Sequence, residues 1–305
     1  MKKLLLASTA LVATAGIAAA DVNLSGGARF GIIDNGTDTL ITNRFTINID
    51  GNATIDSGAE LFARVRIRGG NEQGEGGTTA ASGVSAPRVG MTSGGMTLAV
   101  GNINGALEST PGLYSGAVGL TGLGWGNLPV MNSAAGNWYW DSFSSGGGGA
   151  NGVEVIYSAG DLGVHVSHSE VSDETSAHIS YAFGDWTAAL AVLDDGDDGE
   201  EVTLVTLGGS LGSANVGLKY ADVDDGADSS DATTVWASFD VASGTTVTGY
   251  FTSIDNGDTD DSYGLGFTHS LGGATLAGGG GGCRRSTTRH APIWVFASAS
   301  KLTYI

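Results

Sequence analysis

The sequence predicts an all-β protein, a transmembrane antiparallel up-and-down β-barrel, and three observations carry that reading. Apolar and polar residues alternate with a period of two along most of the 305-residue chain, the signature of strands rather than helices. The stretches are joined by short turns at one end and by longer Gly/Asp-rich loops at the other, so the meander has two different rims. Finally, the second face of each stretch carries Arg, Asn, Ser, Thr, Asp and Gly. A dry core would be packed with large apolar groups, so this face suits a wet lumen and the apolar face suits lipid.

Composition narrows the alternatives. The 52 glycines follow no G-X-Y period, which excludes collagen. A hydrophobic content of 41% is too high for a disordered acidic chain. The net charge of −19 argues against nucleic acid as a partner, which needs a basic face. All 32 acids lie in residues 21–282, with only seven bases: Arg29, Arg44, Arg64, Arg66, Arg68, Arg88 and Lys219. Residues 283–305 reverse the balance, with Arg284, Arg285, Arg289, Lys301, no acid, and the single cysteine, Cys283.

Taken in order, the chain opens with Lys2 and Lys3, an apolar run, and Ala18-Ala19-Ala20 before Asp21. A basic n-region, an apolar h-region and an A-x-A site read as a secretory signal over 1–20, with the mature protein starting at Asp21. Residues 21–282 hold no cysteine, so an exported fold must be stabilised by something other than disulfides, such as a closed sheet. No later stretch of about 18 apolar residues offers a transmembrane helix.

Alternation then recurs. In 39–50, Phe45, Ile47 and Ile49 oppose Arg44, Thr46, Asn48 and Asp50; in 59–69, Leu61, Ala63, Val65 and Ile67 oppose Glu60, Arg64, Arg66 and Arg68. In 175–183, Ala177, Ile179, Tyr181 and Phe183 oppose Ser176, His178, Ser180 and Ala182. The same pattern occupies 22–33, 84–92, 96–103, 152–159, 161–170, 185–194, 201–210, 213–222, 231–241, 245–254, 261–271 and 273 onward. That gives fifteen strands, one short of the even number a bacterial barrel requires, so sixteen are predicted. Closure is obligatory in lipid, where an open edge leaves backbone groups unpaired at several kcal/mol each. Aromatics near strand ends (Tyr157, Tyr181, Phe183, Trp186, Tyr220, Trp236, Tyr250, Phe251) are expected to form interfacial girdles.

The signal, the mature start DVNLSGGARFGI, the meander and the long third loop at 104–150 together resemble the general diffusion porins of Gram-negative bacteria, especially the alphaproteobacterial type. The resemblance spans residues 1 to about 282. It implies a 16-stranded homotrimer in the outer membrane, in contact with lipid and lipopolysaccharide. It also implies a third loop folded into the lumen and passive diffusion of small hydrophilic solutes. The loop suits that part: Trp125, Trp138, Tyr139 and Trp140 lie among its glycines, with Glu108 and Asp141 its only charges. So many aromatics need something to pack against.

Six of the seven body bases fall on the polar phase of the first four strands. Arg29, Arg44, Arg64, Arg66, Arg68 and Arg88 are therefore expected to converge on one inner wall, faced by Glu108, Asp141, Asp50 and Glu60. Such opposition sets a transverse field that orders water and sorts solutes by polarity and size.

Other features are weaker. The acidic runs at 194–201 and 222–231 present Asp194, Asp195, Asp197, Asp198, Asp222, Asp224 and Asp225 as calcium ligands. They lack the EF-hand pattern, and no other cofactor is implied. An alternative function follows from them, a secreted soluble acidic β-protein that binds calcium or ligand through its loops. His165, His168, His178 and His269 lie on strands without metal-ligand spacing and are expected at the lumen or rim. No phosphate loop, nucleophile elbow or paired-carboxylate constellation is present, so no enzyme is expected.

The tail departs from the family, whose last strand ends in phenylalanine; this chain ends KLTYI. In the shifted reading frame, the codons from His290 onward permit R-A-D-L-G-V-R-F-S-F and then a stop. With the charge reversal and the Gly278–Gly282 run, this points to a frameshift that has replaced the last strand over 283–305. As printed, that strand is expected to pair poorly with the first.

Overall fold

The computed structural model describes residues 21–34, 39–71, 80–119, 125–132, 143–145, 150–196, 199–224, 226, 229–255, 261–283, 297–298 and 300–304. Strand segments in chain order are β1 (Asp21–Asp34), β2 (Thr39–Thr54), β3 (Glu60–Asn71), β4 (Ala80–Val84), β5 (Arg88–Ser93) and β6 (Met96–Gly101). After the long loop come β7 (Gly152–Ala159), β8 (Leu162–Ser169), β9 (Glu174–Phe183), β10 (Trp186–Asp195), β11 (Glu201–Leu211) and β12 (Ala214–Asp224). The series ends with β13 (Ser229–Ala242), β14 (Thr245–Asp255), β15 (Ser262–Ser270), β16 (Thr275–Cys283), β17 (Ala297–Ser298) and β18 (Ser300–Tyr304).

All fifteen alternating stretches are strands, and each pairs antiparallel with its sequence neighbour. One is interrupted. β4 and β5 both pair with β3, and Ser85-Ala86-Pro87 separates them. Proline has no N–H for the ladder; across the gap the Ser85 N–H donates to Arg66 O (2.8 Å) and the Ser85 hydroxyl accepts from the Arg66 N–H (2.9 Å). Counting β4–β5 as one strand, and β17–β18 as another, gives the sixteen strands the even-number rule demands.

The sixteenth comes from the tail itself. β17 pairs with β16 at two positions, and β18 pairs with β1 at five, from Leu24↔Tyr304 to Ala28↔Ser300. The pairings therefore run from β1 round to β1 again. That seam is short beside the fourteen paired positions that join β1 to β2.

The rims differ as expected. At one rim Ser93 pairs with Met96 around Gly94 (φ 56°) and Gly95 (φ 82°). Two successive positive-φ residues make the turn whose twist matches a right-handed hairpin, and glycine adopts it without strain. Gly160, Gly184, Gly212 and Gly244 serve the corresponding two-residue turns that follow β7, β9, β11 and β13.

The outward phase is apolar: Phe30, Ile41, Phe45, Leu98, Val155, Ile179, Leu190, Val205, Leu218, Val235, Phe251 and Leu265 are all exposed. In water such a continuous surface would drive aggregation; in a bilayer it is what each strand must present. Tyr157, Tyr181, Phe183, Tyr220 and Phe251 share that face, as the girdle expectation requires. Trp236 and Tyr250 do not. Tyr250 is 7% exposed, and Trp236 lies against loop Gly116, so both belong to the inner wall.

A second correction concerns the inner wall. On β10–β12 the inward residues Ala191, Leu193, Val202, Leu204, Ala221 and Val223 are apolar and buried. A wet lumen would not tolerate this surface bare; the long loop covers it.

Candidate functional site

The loop between β6 and β7 enters the barrel. Its Leu107, Leu113, Leu128 and Val130 pack on the apolar wall of β10–β12, with Tyr114 and Trp125 at the edge of the cluster. Burying a Leu or Val side chain contributes roughly 1.5–3 kcal/mol, and one net hydrogen bond about 1 kcal/mol. The apolar contacts thus hold the loop in the lumen, and the directional bonds fix where along the wall it sits. Those bonds run from wall side chains to loop backbone. The Ser167 and Ser176 hydroxyls accept from the Ala106 N–H (2.8 and 3.1 Å), and His178 Nδ1–H donates to Ala106 O (2.7 Å). Thr206 Oγ1 donates to Pro111 O (2.5 Å), while Thr252 and Ser262 donate to Gly126 O (2.7 and 2.6 Å).

Small residues make the fit possible. A Cβ on Gly266 or Gly279 would lie 2.4 or 2.5 Å from the Val118 Cγ1 of the loop. Gly116 (φ 78°) runs so close to Trp236 that a Cβ there would meet its side chain at 2.5 Å. Trp125 itself adopts φ 60°, a costly conformation for a bulky residue, and packs edge-on to Tyr114 with ring centroids 5.5 Å apart.

The arginines occupy the other wall. Arg29 stands directly opposite Arg44, and Arg66 and Arg68 stand opposite Asn48 and Thr46. These four guanidinium groups line one recess of about 440 Å³ with Ser25, Gly26, Gly27, Ala28, Thr46 and Asn48. Arg66 also meets the returning limb of the loop. Its guanidinium lies 4.6 Å from the Phe143 ring centroid and donates to Phe143 O (3.3 Å) and Asn48 Oδ1 (3.1 Å). Asn102 Nδ2 ties the loop back on itself through Ser144 O (2.8 Å).

The expected set divides. Arg64 and Arg88 lie opposite each other but are tied to carboxylates: Arg64 Nε donates to Asp50 (2.5 Å) and Arg88 Nε to Glu154 (2.5 Å). Glu60 is exposed near the short-turn rim, opposite Thr54 and Thr92, apart from the arginine recess. Glu108 is buried beside Leu107 on the first limb of the loop and does not line the recess. Asp141, Trp138, Tyr139 and Trp140 lie outside the described residues.

Three wall residues outside the expected constriction set meet the loop or the arginine wall; the sequence places His178 at the lumen or rim and counts Lys219 among the bases without giving either a partner. Glu154 is fully buried and accepts from both Arg88 and His165 Nε2 (3.0 Å). His178 stacks edge-on to His165 at 5.4 Å and reaches the loop. Lys219 is buried on β12. Each falls on the polar phase of its strand, which is the only sequence signal they had; what faces them is settled by the loop.

The calcium expectation is not supported. Among the described residues no group of three or more His, Cys, Asp or Glu is placed to hold a metal ion. Asp194 is exposed on the outward face and Asp195 is buried on the inward one, because neighbours in a strand point oppositely. Asp222 and Asp224 lie on the outward phase of β12, with Asp222 opposite Asp231; Asp197, Asp198 and Asp225 lie outside the described residues.

Known proteins bear on this architecture. The Gram-negative porin family pattern matches residues 7–288. A porin from Rhodobacter capsulatus is 30% identical over 295 residues, covering 85% of this chain and 93% of its own. One from Fuscovulum blasticum is 26% identical over 267 residues, covering 81% and 89%. Among solved structures, a triple mutant of the Rhodopseudomonas blastica porin superposes with a TM-score of 0.76 at 21% identity, over 92% of this chain and all of the other. Nothing favours the soluble calcium-binding alternative over this. A sixteen-stranded meander with an apolar exterior, a polar lumen and a loop folded across it belongs to the Gram-negative porin family, and the chain is an outer-membrane diffusion pore.

Proposed function

We propose that this pore passes small hydrophilic solutes and ions through a charged constriction between the arginine wall of β1–β3 and the inward loop. The observation that carries the reading is the recess where Arg29, Arg44, Arg66 and Arg68 converge beside the returning limb of the loop. Rings of fixed charge at a narrow point select permeants by charge and size. Arg64–Asp50 and Arg88–Glu154 are the neutralised flanks of the same wall; Glu108 and Asp141 belong to the loop that faces it. Residues 1–20 act as the export signal. The chain works as a homotrimer, with its outer face against lipid and lipopolysaccharide.

Single-channel recording of the purified protein in a planar bilayer tests the pore. A large, non-rectifying conductance is expected, and the protein should need detergent for extraction. A detergent-free extract of soluble protein, or absence of channels from a frame-corrected chain, would sink the reading.

Residues 283–305 are read as a frame-shifted replacement for the last strand. Support comes from the charge reversal there and from a family match that stops at residue 288. Restoring the frame should lengthen the pairing between the last strand and β1 beyond its present five positions and raise the yield of assembled barrel. Equal yield from both chains would count against it.

A further inference from the structure

One cation of the lumen plays no part in the arginine wall. Lys219 is the sole lysine of residues 21–282, and it is 1% exposed on the inward face of β12. Its Nζ donates two bonds of 2.7 Å, to Leu113 O and to Asn127 O. Neither acceptor is a carboxylate. Both are backbone carbonyls of the loop, and they come from different limbs, fourteen residues apart in the chain.

The other wall-to-loop bonds each hold a single limb. Ser167, Ser176, His178 and Thr206 bond the first limb between Ala106 and Pro111; Thr252 and Ser262 bond the second at Gly126. Each of them fixes one limb to the wall and leaves the spacing between limbs open. Two carbonyl oxygens bound to one ammonium cannot stand farther apart than twice the bond length, so Lys219 caps that spacing from the wall side, while Asn127 Nδ2 ties the same segments directly by donating to Ser115 O (3.2 Å). A buried ammonium needs its donors satisfied, which makes the clasp costly to open. Main-chain acceptors also leave the clasp indifferent to which side chains the loop carries.

We propose that Lys219 is a positioning residue of the constriction: a two-donor clasp that, with Asn127, joins the Leu113 and Asn127 segments of the inward loop and thereby fixes the bore seen by diffusing solutes. This rests on the loop-narrowed pore described above. Methionine at 219 fills similar space without a donor, so the apolar cluster beneath the loop stays intact while the clasp is lost. Arginine keeps both charge and donors.

The test compares the full chain with K219M and K219R in planar bilayers and in liposomes challenged with neutral sugars of increasing size. K219M is expected to show several-fold more open-channel noise, a broadened conductance and entry of larger sugars, with unchanged heat resistance of the barrel. K219R is expected to restore a single conductance level. K219M channels with the parent's noise, conductance and sugar cut-off would overturn the proposal, as would lower heat resistance with an unchanged cut-off, which marks a purely structural lysine. Amine labelling of the parent gives a second reading that needs no variant. Lys219 should resist reductive methylation in the folded barrel and react after denaturation; rapid labelling in the native state would overturn the clasp. If the parent forms no channels, the pore reading fails, while labelling still reports on the clasp.

Discussion

Replacing Arg29, Arg44, Arg66 and Arg68 together by serine is expected to shift the pore strongly toward cation selectivity, read as a displacement of the reversal potential in a salt gradient. The physical basis is the concentration of like charge. Arg29 and Arg44 are directly opposed on neighbouring strands, where side chains start about 5 Å apart. Two unit charges at that separation interact with about 0.8 kcal/mol in bulk water and roughly 3 kcal/mol at an effective dielectric of 20. Even 1 kcal/mol changes the local ratio of an ion roughly fivefold. Four such charges around one recess are therefore expected to dominate the local ion population, although the body as a whole is strongly acidic. Arg64 offers the control. It lies outside the recess and its partner Asp50 offsets it at 2.5 Å, so R64S should move the reversal potential far less than the quadruple variant. An unchanged potential in the quadruple variant would place the selectivity elsewhere. The effect should also weaken as salt rises and the Debye length falls from about 10 Å at 0.1 M to 3 Å at 1 M.

The second large effect concerns stability. Glu154→Leu is expected to destabilise the barrel by about 3–5 kcal/mol, the usual cost of removing one partner from a buried charged network. Glu154 is fully buried and joins Arg88 to His165, and the Arg88 side chain is only 15% exposed. Without the carboxylate, the guanidinium and the imidazole lose their common acceptor. Arg88 retains only its position 5.0 Å from the Phe62 ring centroid, a contact worth about 0.5–2 kcal/mol. Glu154→Gln keeps an acceptor oxygen and should lose less. The temperature at which the folded barrel loses its distinct gel mobility would measure both variants. Equal resistance in E154L and the parent would show that the network is not needed.

Why so much of the fold was readable follows from how a membrane barrel is built. Each strand must face lipid on one side and water on the other, so the period of two is imposed along the whole length of the wall. That is why the Arg44–Asp50 and Glu60–Arg68 alternations indicated both the strands and which residues share the lumen. The turns were readable for a similar reason: Gly94, Gly95 and Gly184 sit where two-residue hairpins need positive φ.

The loop was less transparent. Its length and aromatics indicated that it must pack, but not where. On β10–β12 the alternation weakens where the loop sits, because Leu193, Val202 and Leu204 face inward under it while Val192 and Val205 face lipid. Trp236 and Tyr250 leave the girdle for the inner wall for the same reason. An inward aromatic is excluded by a wet lumen only if nothing covers it. The interruption at Ser85–Pro87 was visible as a proline, yet its bond to β3 through Ser85 was not.

By itself, then, the sequence determined the barrel, its strand boundaries, its two rims and the inward phase of the arginines, since all of these follow from local alternation and turn chemistry. Only the tertiary structure decided which charges are offset and which are gathered. Asp50 meets Arg64, Glu154 meets Arg88, and Lys219 meets two carbonyls of a loop more than ninety residues away in the chain. Strand register and loop placement bring these groups together, and neither leaves a periodic trace in the residues concerned.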